Sequence, residues 1–530
     1  MSSLFSDTKE KKMTENTIPS PLPRFLQEQT LESVAQERFV QAQTQTQTLE
    51  GILQTDQEFV QIGTQGIATP SSWFYHLLNN LPLTYLGGDG RWHYIPGVYT
   101  LLNHKKTAYE HLKPISLDQG NGLIKLAGQT LDHRMESIAI PSRIEVVEDQ
   151  VLHGAKGRST WRVGTPDGLS PMKLRVGDDA QGKKARGFAV GRTSERFDDE
   201  TYALLLKISI VQLLKKLGHQ PGEHALALGL AIRIPEILVD EAGKQTVDPK
   251  VATAIRQQLK GTFVVEETSG KARTVWTISI ARVFPTIQTI GSYFLWNFNL
   301  LCEPAQSKFR SVRTLDLGTG DMGEAIARQK SGEPLVIEGH VIADGAVQFA
   351  TAVNDAMKTH FPSTRFTVSK AQQAVIENEL EIGGQVYPLL LPEDLVVDAE
   401  PLSGEEDAEH ELLPAVSVPH EKRDASYDVN AMLKVQAIRR SYRSAIEQLL
   451  LDCNPALQDQ NVFLIVTGGT LKNPLFANKL AQRLKTLNRT FNDSLMMPVE
   501  NDFNVVANAL GTYVFTCWQL NRLLAEQAGL

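Results

Sequence analysis

Cysteine is scarce in this chain. Cys302, Cys453 and Cys517 are the only three in 530 residues, and they are far apart, without the paired spacing of a zinc site. That pattern argues against a disulfide framework and against structural zinc. No apolar run reaches membrane-spanning length, and the polar start Met1-Ser-Ser-Leu-Phe-Ser-Asp7 has no secretory pattern, so a cytoplasmic location is expected. Positive charge is also short: the formal net charge of -8 argues against a broad nucleic-acid-binding surface. What the chain does have is length and apolar content. With 530 residues at 42% hydrophobic, it can build the cores of two or more domains.

Three glycine turns carry most of the chemical information. In Ile115-Ser-Leu-Asp-Gln-Gly-Asn-Gly-Leu-Ile-Lys125, an apolar strand ends at Asp118, turns through Gly120 and Gly122, and returns through Leu123 and Ile124. Glycines let backbone N–H groups approach phosphate oxygens. Lys125 supplies a point positive charge, and Asp118 can hold a metal's water shell. The pattern recurs in Val312-Arg-Thr-Leu-Asp-Leu-Gly-Thr-Gly-Asp-Met322, a strand ending at Asp316 followed by Gly318 and Gly320. The third turn follows the apolar strand Val462-Phe-Leu-Ile-Val-Thr467 as Gly468-Gly469-Thr470. It leads into a segment with helical spacing at Leu475, Ala477, Leu480 and Leu484. A Gly-Gly step entering a helix suits close passage of an adenine or ribose.

Taken in order, these segments resemble the actin superfamily of ATPases, which includes actin, sugar kinases and chaperone ATPases, over about residues 114–530. The resemblance implies an α/β, actin-like two-domain ATPase fold: duplicated ribonuclease-H-like domains around a nucleotide cleft, here with an N-terminal extension. It implies that Gly120, Asn121, Gly122 and Lys125 contact phosphates, as do Gly318, Thr319 and Gly320. Asp118 and Asp316 would hold hydrated Mg2+, and Gly468, Gly469 and Thr470 match the adenosine motif. Phe503-Asn-Val-Val-Ala-Asn-Ala-Leu-Gly511 looks like the second connecting helix, with Asn508 and Gly511 at its polar and small positions. Phe284-Pro-Thr-Ile-Gln-Thr-Ile-Gly-Ser-Tyr293 resembles the segment that carries a water-orienting glutamine, so Gln288 joins Asp118 and Asp316 as a catalytic candidate; a surface or helix-start glutamine is the other reading of that position. Phosphoryl transfer depends on alignment and electrostatics, and a neutral glutamine is no strong base, so slow turnover is expected.

Within the superfamily, Ile140-Pro-Ser142, Leu174-Arg-Val-Gly-Asp-Asp-Ala180, the helix leading to Leu217 and the strand Ala225–Leu230 lean toward the plasmid-segregating bacterial actins of the ParM type. Two departures stand out. Asp321 follows Gly320 directly, which makes the second loop short, and Thr470 replaces a third glycine, which leaves ATP or GTP as the nucleotide.

The expected organisation is a flexible stretch 1–24, an extension 25–113 with a helix and a small aromatic-rich subdomain, a first domain 114–300 and a second domain 301–530. The second domain carries an acidic loop at about 393–425, and its C-terminal helix returns to the first domain. Trp73, Phe74, Tyr75, Tyr85, Trp92, Tyr94 and Tyr99 concentrate in the extension, and 393–411 carries acids without Lys or Arg. Such a charge run is usually a solvated loop, with a docking site as the alternative. The function implied is ATP hydrolysis coupled to self-assembly into filaments. The cargo would be plasmid DNA, reached only indirectly through a small adaptor of the ParR type, or the filament would be a cytoskeletal scaffold. A monomeric kinase of a small metabolite and a nucleotide-binding scaffold without turnover are the other readings.

Overall fold

The computed structural model describes residues 84–86, 92–94 and 112–528, apart from 121, 132–134, 148–157, 181–184, 188–198, 240–244, 298–310, 329–335, 392–428, 490–493 and 498–501. Residues 1–24, most of the extension, all of the acidic stretch and Asn121 therefore lie outside the described residues.

Two sheets repeat one topology. In the first, β1 (Leu112–Gln119), β2 (Leu123–Gln129) and β3 (Met135–Pro141) form an antiparallel meander, and β1 then pairs in parallel with β4 (Glu223–Ile232), which pairs in parallel with β5 (Ala272–Ile287). In the second, β6 (Ser311–Leu317), β7 (Asp321–Arg328) and β8 (Val336–Asp344) form the same meander. There β6 pairs in parallel with β9 (Phe463–Thr467), and β9 in parallel with β10 (Ser494–Met496). The orders β3-β2-β1-β4-β5 and β8-β7-β6-β9-β10 are the same arrangement twice. This is the duplicated α/β fold that the sequence led us to expect. The parallel strands are covered on both faces, which is why β9 is buried along its whole length and reads as a continuous apolar run.

The first sheet extends past β5 through antiparallel strands Gly261–Ser269, Thr160–Thr165, Lys173–Val176 and Arg143–Val147. The single residue Ser142 joins β3, at one end of the sheet, to Arg143–Val147 near the other, so the sheet curls on itself. Helix α1 (Glu200–Lys216) packs on it. Its N-cap Asp199 accepts from the Thr201 amide at 2.9 Å, satisfying one of the orphan donors of the first turn. Its Tyr202, Leu206, Ile210 and Leu213 are buried with Ile115, Leu117, Ile124 and Trp161 of the strands.

Helix α2 (Gly291–Asn297) follows β5. On the second sheet, α3 (Val347–His360), α4 (Val429–Gln458) and α5 (Pro474–Thr486) bury Phe349, Tyr442 and Phe476 against Leu315, Leu317 and Val466. Helix α6 (Phe503–Ala528) belongs to a core that draws on both sheets: Val506, Leu510 and Val514 lie with Ala127 and Met135 of the first and with Val312, Ala325 and Phe463 of the second. Where α6 crosses α2 the backbones nearly touch. A side chain at Gly511 would put its Cβ 1.7 Å from the Gly291 carbonyl oxygen, so only glycine fits there. Among the described residues no helix is long and apolar enough to cross a membrane.

Candidate functional site

The β1–β2 and β6–β7 hairpins share one register and one glycine position. Asp118 pairs in register with Lys125, and Asp316 with Gly323, the same seven-residue step in each. A Cβ at Gly120 would lie 2.6 Å from the Leu123 carbonyl oxygen, and one at Gly318 would lie 2.6 Å from that of Asp321. Both turns therefore demand glycine two residues after the acid, because the returning strand passes too close for any side chain. A Cβ at Gly122 or Gly469 would meet nothing within 4 Å, so those two positions border open space.

The two hairpins share one charged neighbourhood. Lys125 Nζ lies 2.9 Å from Asp118 Oδ2, with the Asp118 side chain fully buried. Burial alone would lower the Lys125 pKa, but the carboxylates of Asp118, Asp316 and Asp321 outweigh it and hold the ammonium above its ordinary value. Burial pushes the Asp316 carboxyl from 3.8 up to about 7, opposed by Lys125 and by a hydrogen bond from Asn508 and reinforced by Asp118 and Asp321. Lys125 and Asp316 thus feel each other's charge, and each also feels those of Asp118 and Asp321.

Helix α6 fixes the second acid. Asn508 Nδ2 donates to Asp316 Oδ2 at 2.9 Å, while Asn508 Oδ1 accepts from the Ser292 amide at 3.0 Å and the Ser292 hydroxyl at 2.7 Å. One asparagine therefore ties Asp316 to the start of α2. Ser116 in β1 also reaches α6, its Oγ donating to the Ala509 carbonyl at 2.6 Å. The second turn is held from the far side as well. The Gly345, Ala346 and Val347 amides donate to the carbonyls of Gly320, Gly318 and Thr319 at 3.2, 3.1 and 2.7 Å.

The third turn sits against the second. Gly468 adopts φ +108°, and a Cβ there would meet the Leu317 carbonyl oxygen at 2.4 Å. The Gly468 amide donates to the Asn504 carbonyl at 3.0 Å, and Asn504 Nδ2 donates back to the Gly468 carbonyl at 2.7 Å. Thr470 is buried, and its hydroxyl donates to the Gly318 carbonyl at 3.2 Å. The threonine side chain is thus turned onto the neighbouring loop. Gln288 is half-buried at the end of β5, and a Cβ at Gly323 would lie 2.7 Å from Oγ1 of its neighbour Thr289. The Gln288 turn is thus seated directly on the second hairpin. Thr319 is exposed at the tip of that hairpin.

Several residues of the site carried no signal in the reading above. Asn504, Ser292 and Gly345 brace the loops, and Arg233 pairs with Asp321 at 3.1 Å from the end of β4. Arg233 could have been noticed as the first charge after the apolar run Ala225–Ile232, and Gly345 as the Asp-Gly step that opens α3.

The donor set suits a divalent cation. Asp118 Oδ1 is buried and makes no hydrogen bond, so one carboxylate oxygen is left to accept from a metal's water. Among the described residues no cluster of three or more His, Cys, Asp or Glu could ligate a metal by itself. A Mg2+ ion here would keep waters and ligand oxygens beside the two carboxylates.

No protein-family model and no curated protein matches the chain. Among solved structures it is similar to Ta0583, an archaeal actin homolog, at 17% identity and TM-score 0.48, covering 76% of this chain and 98% of that one. It is also similar to Bacillus thuringiensis ParM with ATP, at 14% identity and TM-score 0.48, covering 78% and 100%. The apo psk41 parM protein aligns at 15% identity and TM-score 0.46, over 79% and 100%.

Proposed function

We propose that the protein is an actin-like ATPase of the ParM type, which binds ATP between its two sheets, hydrolyses it slowly and assembles into filaments. The observation that carries this reading is the pair of equivalent glycine hairpins whose acids, Asp118 and Asp316, share Lys125. In the proposal, Lys125 neutralises phosphate charge, and the amides of the turns at Gly120–Gly122 and Gly318–Gly320 contact phosphate oxygens. Asp118 and Asp316 hold the water shell of Mg2+, which supplies charge neutralisation on the phosphates. The amides at Gly468–Gly469 flank the nucleoside, and Thr470 holds that turn to the second loop. Gln288 orients the attacking water. Self-assembly, an adaptor of the ParR type and DNA as an indirect cargo belong to the same proposal, with a cell-shaping scaffold as the other use of such a filament. GTP remains the alternative nucleotide.

Purified protein is mixed with Mg-ATP and followed by light scattering, electron microscopy and phosphate release. Filaments that form with ATP and slow phosphate release support the reading. Lys125→Ala should weaken nucleotide binding by roughly 10- to 100-fold, the loss of one charge-assisted contact of about 1.5–3 kcal/mol. Asp316→Ala should abolish hydrolysis. Unchanged phosphate release in both variants, or a monomer that consumes ATP only with an added metabolite, refutes the proposal.

A further inference from the structure

The chain segment that leaves β4 crosses to the second sheet at three places. First, Arg233, whose side chain is only 2% exposed, directs Nη2 to Asp321 Oδ2 at 3.1 Å. Its backbone is pinned by Glu236, which accepts from the Arg233 amide at 3.2 Å and returns its own amide to the Arg233 carbonyl at 2.9 Å. Second, Ile234 lies flat on two glycines of β7 and β8. A Cβ at Gly323 would sit 2.9 Å from Ile234 Cδ1, and one at Gly339 would sit 3.4 Å from Ile234 Cγ1. Third, Gln245, on the short strand Gln245–Val247, makes both of its amide hydrogen bonds to one residue: Nε2 donates to the Gly339 carbonyl at 3.1 Å, and Oε1 accepts from the Gly339 amide at 2.9 Å. Gly339 lies on β8, the edge strand of the second sheet, so Gln245 satisfies backbone groups that no further strand reaches.

The repeat between the halves shows what this contact requires. Gly323 occupies in the second hairpin the register position that Lys125 holds in the first. A side chain there would displace Ile234 and Thr289, so the glycine opens the second hairpin to the first sheet. Asp321, immediately after the Gly318–Gly320 turn, lies close enough to Lys125 and Asp316 to shift the charge equilibria of both. The turn is therefore anchored from the opposite half of the molecule.

We infer that residues 233–239 and 245–247, which pair with each other as short strands, form a strap from the first sheet to the second, and that Arg233 is a positioning residue which sets the second glycine turn through Asp321. Its consequence for turnover rests on the function proposed above; the strap itself does not.

Hydrogen exchange on the full-length, nucleotide-free protein tests the strap directly. Arg233→Met and Gln245→Ala should each speed exchange in residues 336–344 by about tenfold or more, with residues 463–467 unchanged. Asp321→Asn should also speed exchange in 336–344, because it removes the same Arg233–Asp321 pair from the other side. The double variant should exceed the larger single effect by less than threefold, since both remove one link. Arg233→Lys should restore part of the protection. Unaltered exchange in 336–344, or effects of Arg233→Met and Asp321→Asn that multiply, overturns the strap. In the presence of Mg-ATP, Arg233→Met should lower phosphate release about tenfold with nucleotide affinity changed less than threefold. An equal loss in both would mean direct contact with nucleotide and overturn the positioning role. A wild-type protein that neither binds nor hydrolyses nucleotide sinks the proposed function, and the strap then stands or falls on exchange alone.

Discussion

Asp316 should be a destabilising residue in the nucleotide-free protein, and replacing it by asparagine should make the fold more stable. Its carboxyl is moved by burial from 3.8 to about 7. The folded value lies above the unfolded one, so between these two pH values the folded state binds the extra proton and stability falls as pH rises. Above about 7 the whole penalty is present. At about 1.4 kcal/mol per pH unit, the penalty is about 4 kcal/mol at pH 8 and about 2 kcal/mol at pH 5. Relaxation and water entry reduce such figures, so the expected gain from Asp316→Asn is on the order of 2 kcal/mol at pH 8 and less than half of that at pH 5. The substitution keeps the geometry, because the asparagine carbonyl can still accept the 2.9 Å bond from Asn508 Nδ2. Urea midpoints of wild type and variant, measured without nucleotide from pH 5 to 8.5, give the difference directly. A variant less stable than wild type at pH 8, or a gain that does not grow with pH, would refute the reasoning. The same penalty is what a divalent cation would relieve, so the instability has the sign expected of a site shaped for a bound charge.

Two further substitutions probe the supports of the site. Gly511→Ala would drive a methyl to 1.7 Å from the Gly291 carbonyl, so the α2–α6 crossing must spread. We expect a loss of at least about 3 kcal/mol or failure to accumulate as soluble protein, measured by thermal unfolding, and a variant with wild-type stability would contradict the close approach. Thr470→Val removes the donor to the Gly318 carbonyl while keeping the shape. It should cost about 1 kcal/mol and weaken nucleotide binding severalfold, whereas Thr470→Ser should behave as wild type; calorimetric titration with Mg-ATP separates them.

What could be foreseen from the sequence was whatever is local. An apolar strand that ends in an acid and turns through spaced glycines must form a tight hairpin, and two such patterns about 200 residues apart are a visible trace of duplication. The same logic reached the β9 strand and the helix from Phe503, because burial on both faces and helical spacing leave compositional signatures. The curl of the first sheet was not visible. It depends on Ser142 joining strands at opposite ends of one sheet, a pairing that no periodicity encodes. Nor could spacing find the braces. Asn508 and Ser292 are separated by 216 residues and Thr470 and Gly318 by 152 before folding brings them into hydrogen-bond contact. Thr470 shows the difference most clearly. In sequence it was a departure from a glycine motif that cast doubt on the base; in the structure the same hydroxyl reaches a loop carbonyl. The residue that breaks the local pattern is answering a constraint from another part of the chain. Arg233 follows the same rule: a buried cation at the end of an apolar strand, it meets the Asp321 carboxylate of the other sheet.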